Sequence, residues 1–451
     1  MMNTKHLVRR IWRNPFFRFF VVAGLYVVWV QWIGQQLLLL GVIVIADIFL
    51  TKFVNWRFWR KRKSGGEKHK VLTEIIDSLI IAVLLAIFIR IFFAEAYRIP
   101  TSSMEKTLSV GDYILVSKLR YGPRLPITPI TMPFTHNTMP FTTNRNSFST
   151  RIRFPYKRLK GFSQVKNFDV VVFNYPVGDT VIMDLVGKSY YYMVRQHDRE
   201  YVHTHYTLQY RPVDKRDNYT KRAIGIPGDT VEIIHGRAYI NNKAEPAIEG
   251  CQFNYSVKTQ GSHADTLIMQ KLAVSLYDVH YNVYNSIYNM PLTRHMYHTL
   301  IDSGYFKAIV RYESTDPSAV NRQIFPFSSE YNWTEDNYGP VWVPQRGASV
   351  NLSLKNLPLY RRIIAVYEKN KLDIINDSIY INDTLATSYT FRMNYYFMLG
   401  DNRHNSKDSR YWGFVPEDHI IGKAGMVWLS LDKSQGFMSR IRWKRMFRRI
   451  R

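Results

Sequence analysis

Ser103 lies in the segment Ile99-Pro100-Thr101-Ser102-Ser103-Met104, directly after an apolar stretch, and Lys221 opens a second segment, Lys221-Arg222-Ala223-Ile224-Gly225-Ile226-Pro227-Gly228-Asp229. A serine hydroxyl attacks a carbonyl only when a base removes its proton. A lysine can be that base only if burial and nearby positive charge lower its pKa. Arg222 supplies a permanent neighbouring charge, and Ala223, Ile224 and Ile226 read as a short buried strand. The two segments together predict Ser-Lys hydrolysis, a variant of triad chemistry. Taken singly, either residue reads as solvated surface.

A third segment adds weight. Phe397-Met398-Leu399-Gly400-Asp401-Asn402-Arg403-His404-Asn405-Ser406-Lys407-Asp408-Ser409-Arg410 runs straight into Tyr411-Trp412-Gly413-Phe414-Val415-Pro416. At these residues the chain resembles bacterial signal peptidase I. That family has a Ser-Met box after its last membrane span, a Lys-Arg box ending in Pro-Gly-Asp, and a Gly-Asp-Asn-Arg box followed by Asn-Ser and Asp-Ser-Arg. All occur here in the same order, with two further matching stretches at residues 111–116 and 169–176. The resemblance covers residues 97–122, 165–240 and 389–432.

The resemblance implies Ser103 as nucleophile and Lys221 as general base. It implies that the Thr101 hydroxyl joins the Ser103 backbone N–H in an oxyanion hole, and that Ser406 hydrogen-bonds the lysine. Asp408 and Arg410 match a structural ion pair beside the site. Asp401, Asn402 and Arg403 read as turn and scaffold residues, since Asp and Asn favour turns. Ile99, Pro100, Tyr219 and Thr220 would border the substrate groove and bind an extended peptide by strand addition; without the resemblance, Ile99 and Tyr219 read as core. The chain departs from the family at Ser102, Lys106 and His404, where many members carry Gly, Pro and Asp. His404, in a polar loop, reads as solvated rather than as an alternative base.

The single cysteine, Cys251, excludes an intramolecular disulfide and lies outside the boxes, so it reads as inert. No Cys/His cluster has zinc spacing, and no phosphate-binding glycine loop occurs. Neither a metal nor a cofactor is expected.

The boxes must be carried by a membrane region and a large domain. Apolar segments cover residues 19–33, 37–54 and 75–93, and the third is the clearest span, since about twenty residues cross a bilayer. Asp47, within the second segment, reads as a packing or interfacial residue. Lys5, Arg9, Arg10, Arg13 and Arg18 precede the first segment, and a basic loop, 55–72, precedes the third. Positive flanks belong on the cytoplasmic side, which delivers Ser103 to the extracytoplasmic face of a multi-pass bacterial inner-membrane protein. Residues 1–95 are thus expected as the anchor. The net charge of +26 concentrates in these flanks and in the tail, 436–451, whose alternating cations and apolar residues predict an interfacial amphipathic helix. The charge points to membrane lipids rather than nucleic acid.

The catalytic domain is expected over 96–240 and 356–435 as a mostly antiparallel β fold of the signal peptidase type, with N-terminal transmembrane helices before it. Strands are predicted at 170–173, 230–234, 363–367 and 425–431. Residues 177–217 and 241–355 read as insertions, too aromatic to be disordered. Ala238-Tyr239-Ile240-Asn241-Asn242 is echoed by Ile379-Tyr380-Ile381-Asn382-Asp383, which suggests a repeated hairpin. The expected function is removal of N-terminal signal peptides from preproteins cut after Ala-x-Ala. An inactive membrane scaffold and a self-cleaving repressor are the other classes, the latter disfavoured by the spans.

Overall fold

Helices form where Phe, Val, Leu and Ile run with few charges, and strands where β-branched residues are bounded by turns. The computed structural model describes residues 12, 14–33, 39–54, 67–142, 145–185, 187–259, 272, 274, 278–282, 284–304, 306–316, 323–432, 436 and 439–451. The chain divides into two compact units, residues 1–89 with 157–160, and residues 90–156 with 161–451.

In the first unit, helices cover Pro15–Ile33 and, from Glu67, a run that ends at Phe92. The stretches Pro15–Ile33 and Ile75–Phe92 are long and apolar enough to cross a membrane, with mean hydropathies of 1.7 and 2.6. Phe20, Leu25 and Val28 on one, and Leu79, Ile81 and Leu84 on the other, stand exposed, so no protein core covers these faces. The middle apolar segment forms only a short helix, Gly41–Ala46, continued by a π turn, Asp47–Thr51. The Asp47 carboxylate accepts from the Thr51 hydroxyl and from the N–H groups of Phe53 and Val54. This acid therefore closes the end of its own helix. Residues 55–66 of the expected basic loop, and Lys5, Arg9, Arg10 and Arg13, lie outside the described residues.

The second unit is built on a seven-stranded antiparallel sheet. Its strands, in spatial order, are β1 (Ala94–Arg98), β2 (Asp112–Ser117), β22 (Ile420–Ser430), β3 (Val170–Asn174), β6 (Asn218–Gly225), β20 (Tyr395–Leu399) and β21 (Val415–Pro416). β3 is buried on both faces. Val170 and Val172 join a cluster with Ile99, Met104 and Ile114, whereas Val171 and Phe173 join one with Tyr121, Met398 and Trp412, as strand alternation requires.

Smaller sheets surround this one. β14 (Tyr338–Trp342), β7 (Thr230–Ile234), β8 (Arg237–Ile240) and β9 (Lys243–Ala244) form one; β16 (Leu372–Ile375), β17 (Ser378–Ile381) and β18 (Thr384–Leu385) form another. The echoed segments are thus both hairpins, β8–β9 and β17–β18. Asn241, Asn242, Asn382 and Asp383 all take positive φ in their turns, which Asn and Asp tolerate. β11 (His280–Asn282), β12 (Ile287–Thr293), β10 (Gln252–Thr259) and β13 (Phe306–Arg311) make a four-stranded sheet with its own core of Val257, Met290, Leu292, Met296 and Leu300. Two-stranded pairs join β4 (Thr180–Ile182) to β5 (Leu208–Tyr210) and β15 (Ser349–Asn351) to β19 (Ser388–Thr390).

Three sequence expectations change. The later part of the 241–355 stretch is integral to the fold: β14 pairs with β7, and Ile324, Phe325, Tyr338 and Val341 sit in its main core. Residues 363–367, expected as a strand, form a π-helical turn that continues the helix Leu357–Arg362, and bury Ile363 and Ile364. A β-branched run fits either structure, and tertiary burial decides between them. The basic tail forms no long helix among its described residues. Its one helical turn is Trp443–Arg445, and Ile441 bridges Leu431 while Arg449 bridges Met426. Asp112 is fully buried and needs compensation, and Arg445 Nη2 meets its carboxylate at 2.6 Å. That pairing draws the tail onto the sheet.

Candidate active site

Three sequence segments meet at one point. Thr101 is extended, and Ser102–Met104 then close into a single 3-10 turn. The first bond of that turn runs from Glu105 N–H to the Ser102 carbonyl, which leaves the Ser103 N–H outside the turn's own ladder. Met104 and Leu108 anchor the turn in the core below.

Lys221 sits mid-strand on β6, opposite Val171 on β3. It shares a strand face with Tyr219 and Ala223, which pack with Phe173, Met398 and Trp412. The side chain is buried, and its Nζ lies 2.5 Å from Ser103 Oγ. Burial pulls the Lys221 pKa down to about 8; Asp408 opposes this and Arg410 reinforces it. The positive neighbour that sequence suggested, Arg222, is not what acts: its guanidinium turns to Asp401, with contacts of 2.8 and 2.6 Å.

Asp401 also accepts from the Thr107 hydroxyl at 2.6 Å. Asn402 donates its backbone N–H to the Ser103 carbonyl at 3.1 Å and its side-chain amide to the Ser102 carbonyl at 3.2 Å. Arg403 is buried and pairs with Glu245 at 2.5 Å. Asp408 and Arg410 are both buried, with contacts of 2.9 and 2.8 Å between them, and Asp408 takes the Gly400 N–H at 3.1 Å. These residues fix the Ser103 turn and the strand beneath it. Gly400 permits the close approach: a Cβ there would lie 2.1 Å from Ser406 Oγ and 2.7 Å from the Ser103 carbonyl oxygen.

Thr101 Oγ1 is 3.4 Å from Ser103 Oγ. Ser406 departs from expectation. Its hydroxyl is buried beside Gly400 but has no hydrogen-bond partner, so the expected bond to Lys221 is not formed. The lysine spends its contact on Ser103 instead. Ile99 is core, Pro100 is exposed, Thr220 pairs with Val172, and Tyr219 stacks on Tyr175 with centroids 4.6 Å apart.

His404 is not solvated. Its side chain is 1% exposed, Nε2 lies 2.9 Å from Asp336, and Nδ1 accepts the Asn254 N–H at 2.9 Å. An acceptor Nδ1 puts the proton on Nε2, and the ring clamps the third box to the 241–355 stretch. Sequence reading missed this clamp, and also Gln252, which lies beside Asn402 in a parallel bridge, and Asp278, which accepts from Asn402 at 3.0 Å. The departure from Asp at position 404 was the one available signal. Glu335, Asp336 and His404 approach metal-ligand spacing; Tyr411 donates to Glu335 Oε2, Ser314 to Asp336 Oδ2 and Asn254 to His404 Nδ1, while His404 Nε2 faces Asp336 Oδ1.

Burial pushes the Cys251 thiol up to about 11. Its reaction with a disulfide reagent at pH 8 is expected to be about a hundredfold slower in the native protein than after unfolding, because the thiolate is the reacting form. Time courses with and without denaturant check this.

The chain matches the family model described as signal peptidase, peptidase S26, over residues 72–284 and 378–429, which together make up more than half of it. It belongs to the S26 signal peptidase family. Ser103, Lys221 and the Asp401–Arg410 loop all fall inside the matched residues. Signal peptidase I of Buchnera aphidicola from Acyrthosiphon pisum is 28% identical over 388 residues, covering 85% of this chain and 84% of the relative. Signal peptidase I of Pseudomonas aeruginosa is 22% identical over 374 residues, 80% of this chain and 74% of the relative. That of Aquifex aeolicus is 24% identical over 355 residues, 79% and 83%. The chain is thus an S26 peptidase, and its antiparallel β domain, preceded by two apolar helices, is consistent with that family's catalytic fold.

Proposed function

We propose that this peptidase removes N-terminal signal peptides from exported preproteins with Ser103 as nucleophile and Lys221 as general base. The observation that carries the reading is the 2.5 Å approach of Ser103 Oγ to a buried amine whose pKa is about 8. A neutral amine at that distance accepts the serine proton as Oγ bonds to the peptide carbonyl carbon. The oxyanion is held by the Ser103 N–H and the Thr101 hydroxyl; losing one such donor typically costs roughly a hundredfold or more in rate. Lys221 then gives its proton to the leaving amine, the C–N bond breaks, and an ester remains on Ser103. Water, deprotonated by the same amine, then bonds to the ester carbonyl carbon; the bond from that carbon to Ser103 Oγ breaks, Oγ takes the proton back from Lys221, and the signal peptide leaves as a carboxylic acid.

Ile99, Pro100, Tyr219 and Thr220 border the groove, where an extended chain with small residues before the cut, the Ala-x-Ala pattern, binds by strand addition. The helices Pro15–Ile33 and Ile75–Phe92 hold the enzyme in a bacterial plasma membrane, with the basic flanks cytoplasmic and the β domain on the other side. The substrate's own apolar segment lies in the same bilayer, which brings its cut site to the serine.

The test is cleavage of a preprotein with an Ala-x-Ala site by the detergent-purified full chain, with the cut located by mass spectrometry. A single cut after that site by wild type and none by Ser103→Ala supports the reading. Equal cutting by both proteins rejects it.

A further inference from the structure

The two stretches outside the boxes meet the catalytic sheet around one cavity of about 1080 Å³. Tyr219, two residues before Lys221 on β6, stacks on Tyr175 and meets Trp412 edge-on at 5.5 Å, and all three line the cavity. Lys188 and Arg195 come from the 177–217 stretch, and Phe325 and Phe327 from the 241–355 stretch; Arg195 lies over the Phe327 ring at 3.7 Å.

The lining is strongly one-signed. Among the described lining residues six are cations, and the only carboxylate is Asp217, which pairs with Arg211 at 3.1 Å. Arg362 is matched by Asp179 at 2.8 Å. Lys188, Arg195, Arg361 and Lys407 have no carboxylate partner among the described residues. Burial lowers the Arg195 pKa, with Tyr175 opposing and Arg362 adding to the shift. A cavity of this size, with aromatic walls and uncompensated cations, suits a peptide segment bearing acidic side chains.

Its position says which segment. Lys221 must hand its proton to the leaving amine, so the chain after the cut begins at Lys221 Nζ. Tyr219 stands on the same strand face, about 7 Å along β6. Lys407 lines the cavity and is the next residue after Ser406, which is buried against Gly400. Ile99 packs in a different cluster from Tyr219 and does not line the cavity, so Tyr219 alone joins the proposed groove to it. We propose that this cavity receives the substrate segment just after the cut and favours acidic side chains there. The proposal rests on the signal peptidase reading above.

Two preproteins identical except for Asp or Asn at the second to fourth positions after the cut would be cleaved by the full-chain wild type, by Arg195→Glu/Arg361→Glu and by Lys188→Glu/Arg361→Glu. The expected result is a KM about tenfold lower for the acidic substrate with wild type, kcat unchanged, and the difference fading at high salt. Both double variants should lose or invert that preference and keep wild-type rates on the neutral substrate. Cleavage of both substrates with equal KM overturns the proposal and leaves the peptidase reading standing. So does a preference untouched in both variants. No cleavage of either substrate by wild type rejects the underlying reading, and this inference falls with it.

Discussion

Lys221→Met is expected to lower kcat/KM by about a thousandfold or more while leaving the protein folded. General-base assistance alone contributes roughly 10² to 10⁴ in rate, and in the proposed mechanism one amine serves both acyl transfer and hydrolysis of the ester. The wild-type profile should carry the signature of the same group. With the lysine pKa at about 8 instead of the usual 10.5, kcat/KM should fall about tenfold for each pH unit below 8 and level off above it. An ordinary lysine would put the plateau above pH 10.

The sign of the stability effect separates lost chemistry from lost fold. A lysine whose folded pKa is lowered is a cost to the folded state wherever it is protonated in both states. That cost is full below pH 8 and is relieved as pH rises from 8 toward 10.5. Replacing the buried amine by methionine removes the cost, so Lys221→Met should melt no lower than wild type at pH 7. Steady-state assays from pH 6 to 10, with melting curves of both proteins, test this. A profile flat through pH 8 would remove Lys221 from the role of base.

The candidate residues Ser103, Lys221 and Asp401–Arg410 could be picked out because each sits in a short contiguous box. Ser103 and Met104 are adjacent, and Asp408 and Arg410 are two residues apart and pair directly. The hairpins were legible for a local reason too, since Asn241-Asn242 and Asn382-Asp383 take up the positive φ that tight turns demand. What sequence hid depends on contacts with no local signature. Ile363 and Ile364 look like strand residues, but the main core accepts them from a helical turn. The tail's pattern of cations and apolar residues suggests an interfacial helix, but a buried carboxylate at Asp112 and the cluster that Ile450 joins bind it to the sheet. His404 looked like a solvated loop residue until Asn254 and Asp336 were brought to it from the 241–355 stretch. In each case a partner distant in sequence decides the conformation.

That dependence on buried partners is greatest at Asp408 and Arg410. Arg410→Ala is expected to destabilise the protein by about 3–5 kcal/mol, because breaking a buried pair leaves the remaining charge uncompensated. Asp408 would be that charge, fully buried, left with the backbone N–H groups of Gly400 and residue 410 as donors. Arg410 also donates to the Glu335 and Arg403 carbonyls, at 3.0 and 2.5 Å, so those acceptors lose their partner as well. The melting temperature should drop on the order of 10 °C. A double variant, Asp408→Asn with Arg410→Met, should recover much of that loss, since it removes the pair instead of stranding half of it. Activity supplies an independent reading. Arg410 lowers the Lys221 pKa and Asp408 raises it, so the single variant should move the alkaline shift of the pH–rate profile upward and the double variant should move it less. A single variant that melts like wild type and keeps its pH profile would show that the pair carries neither the fold nor the electrostatics of the lysine. One that melts early but keeps its pH profile would confine the pair to the fold.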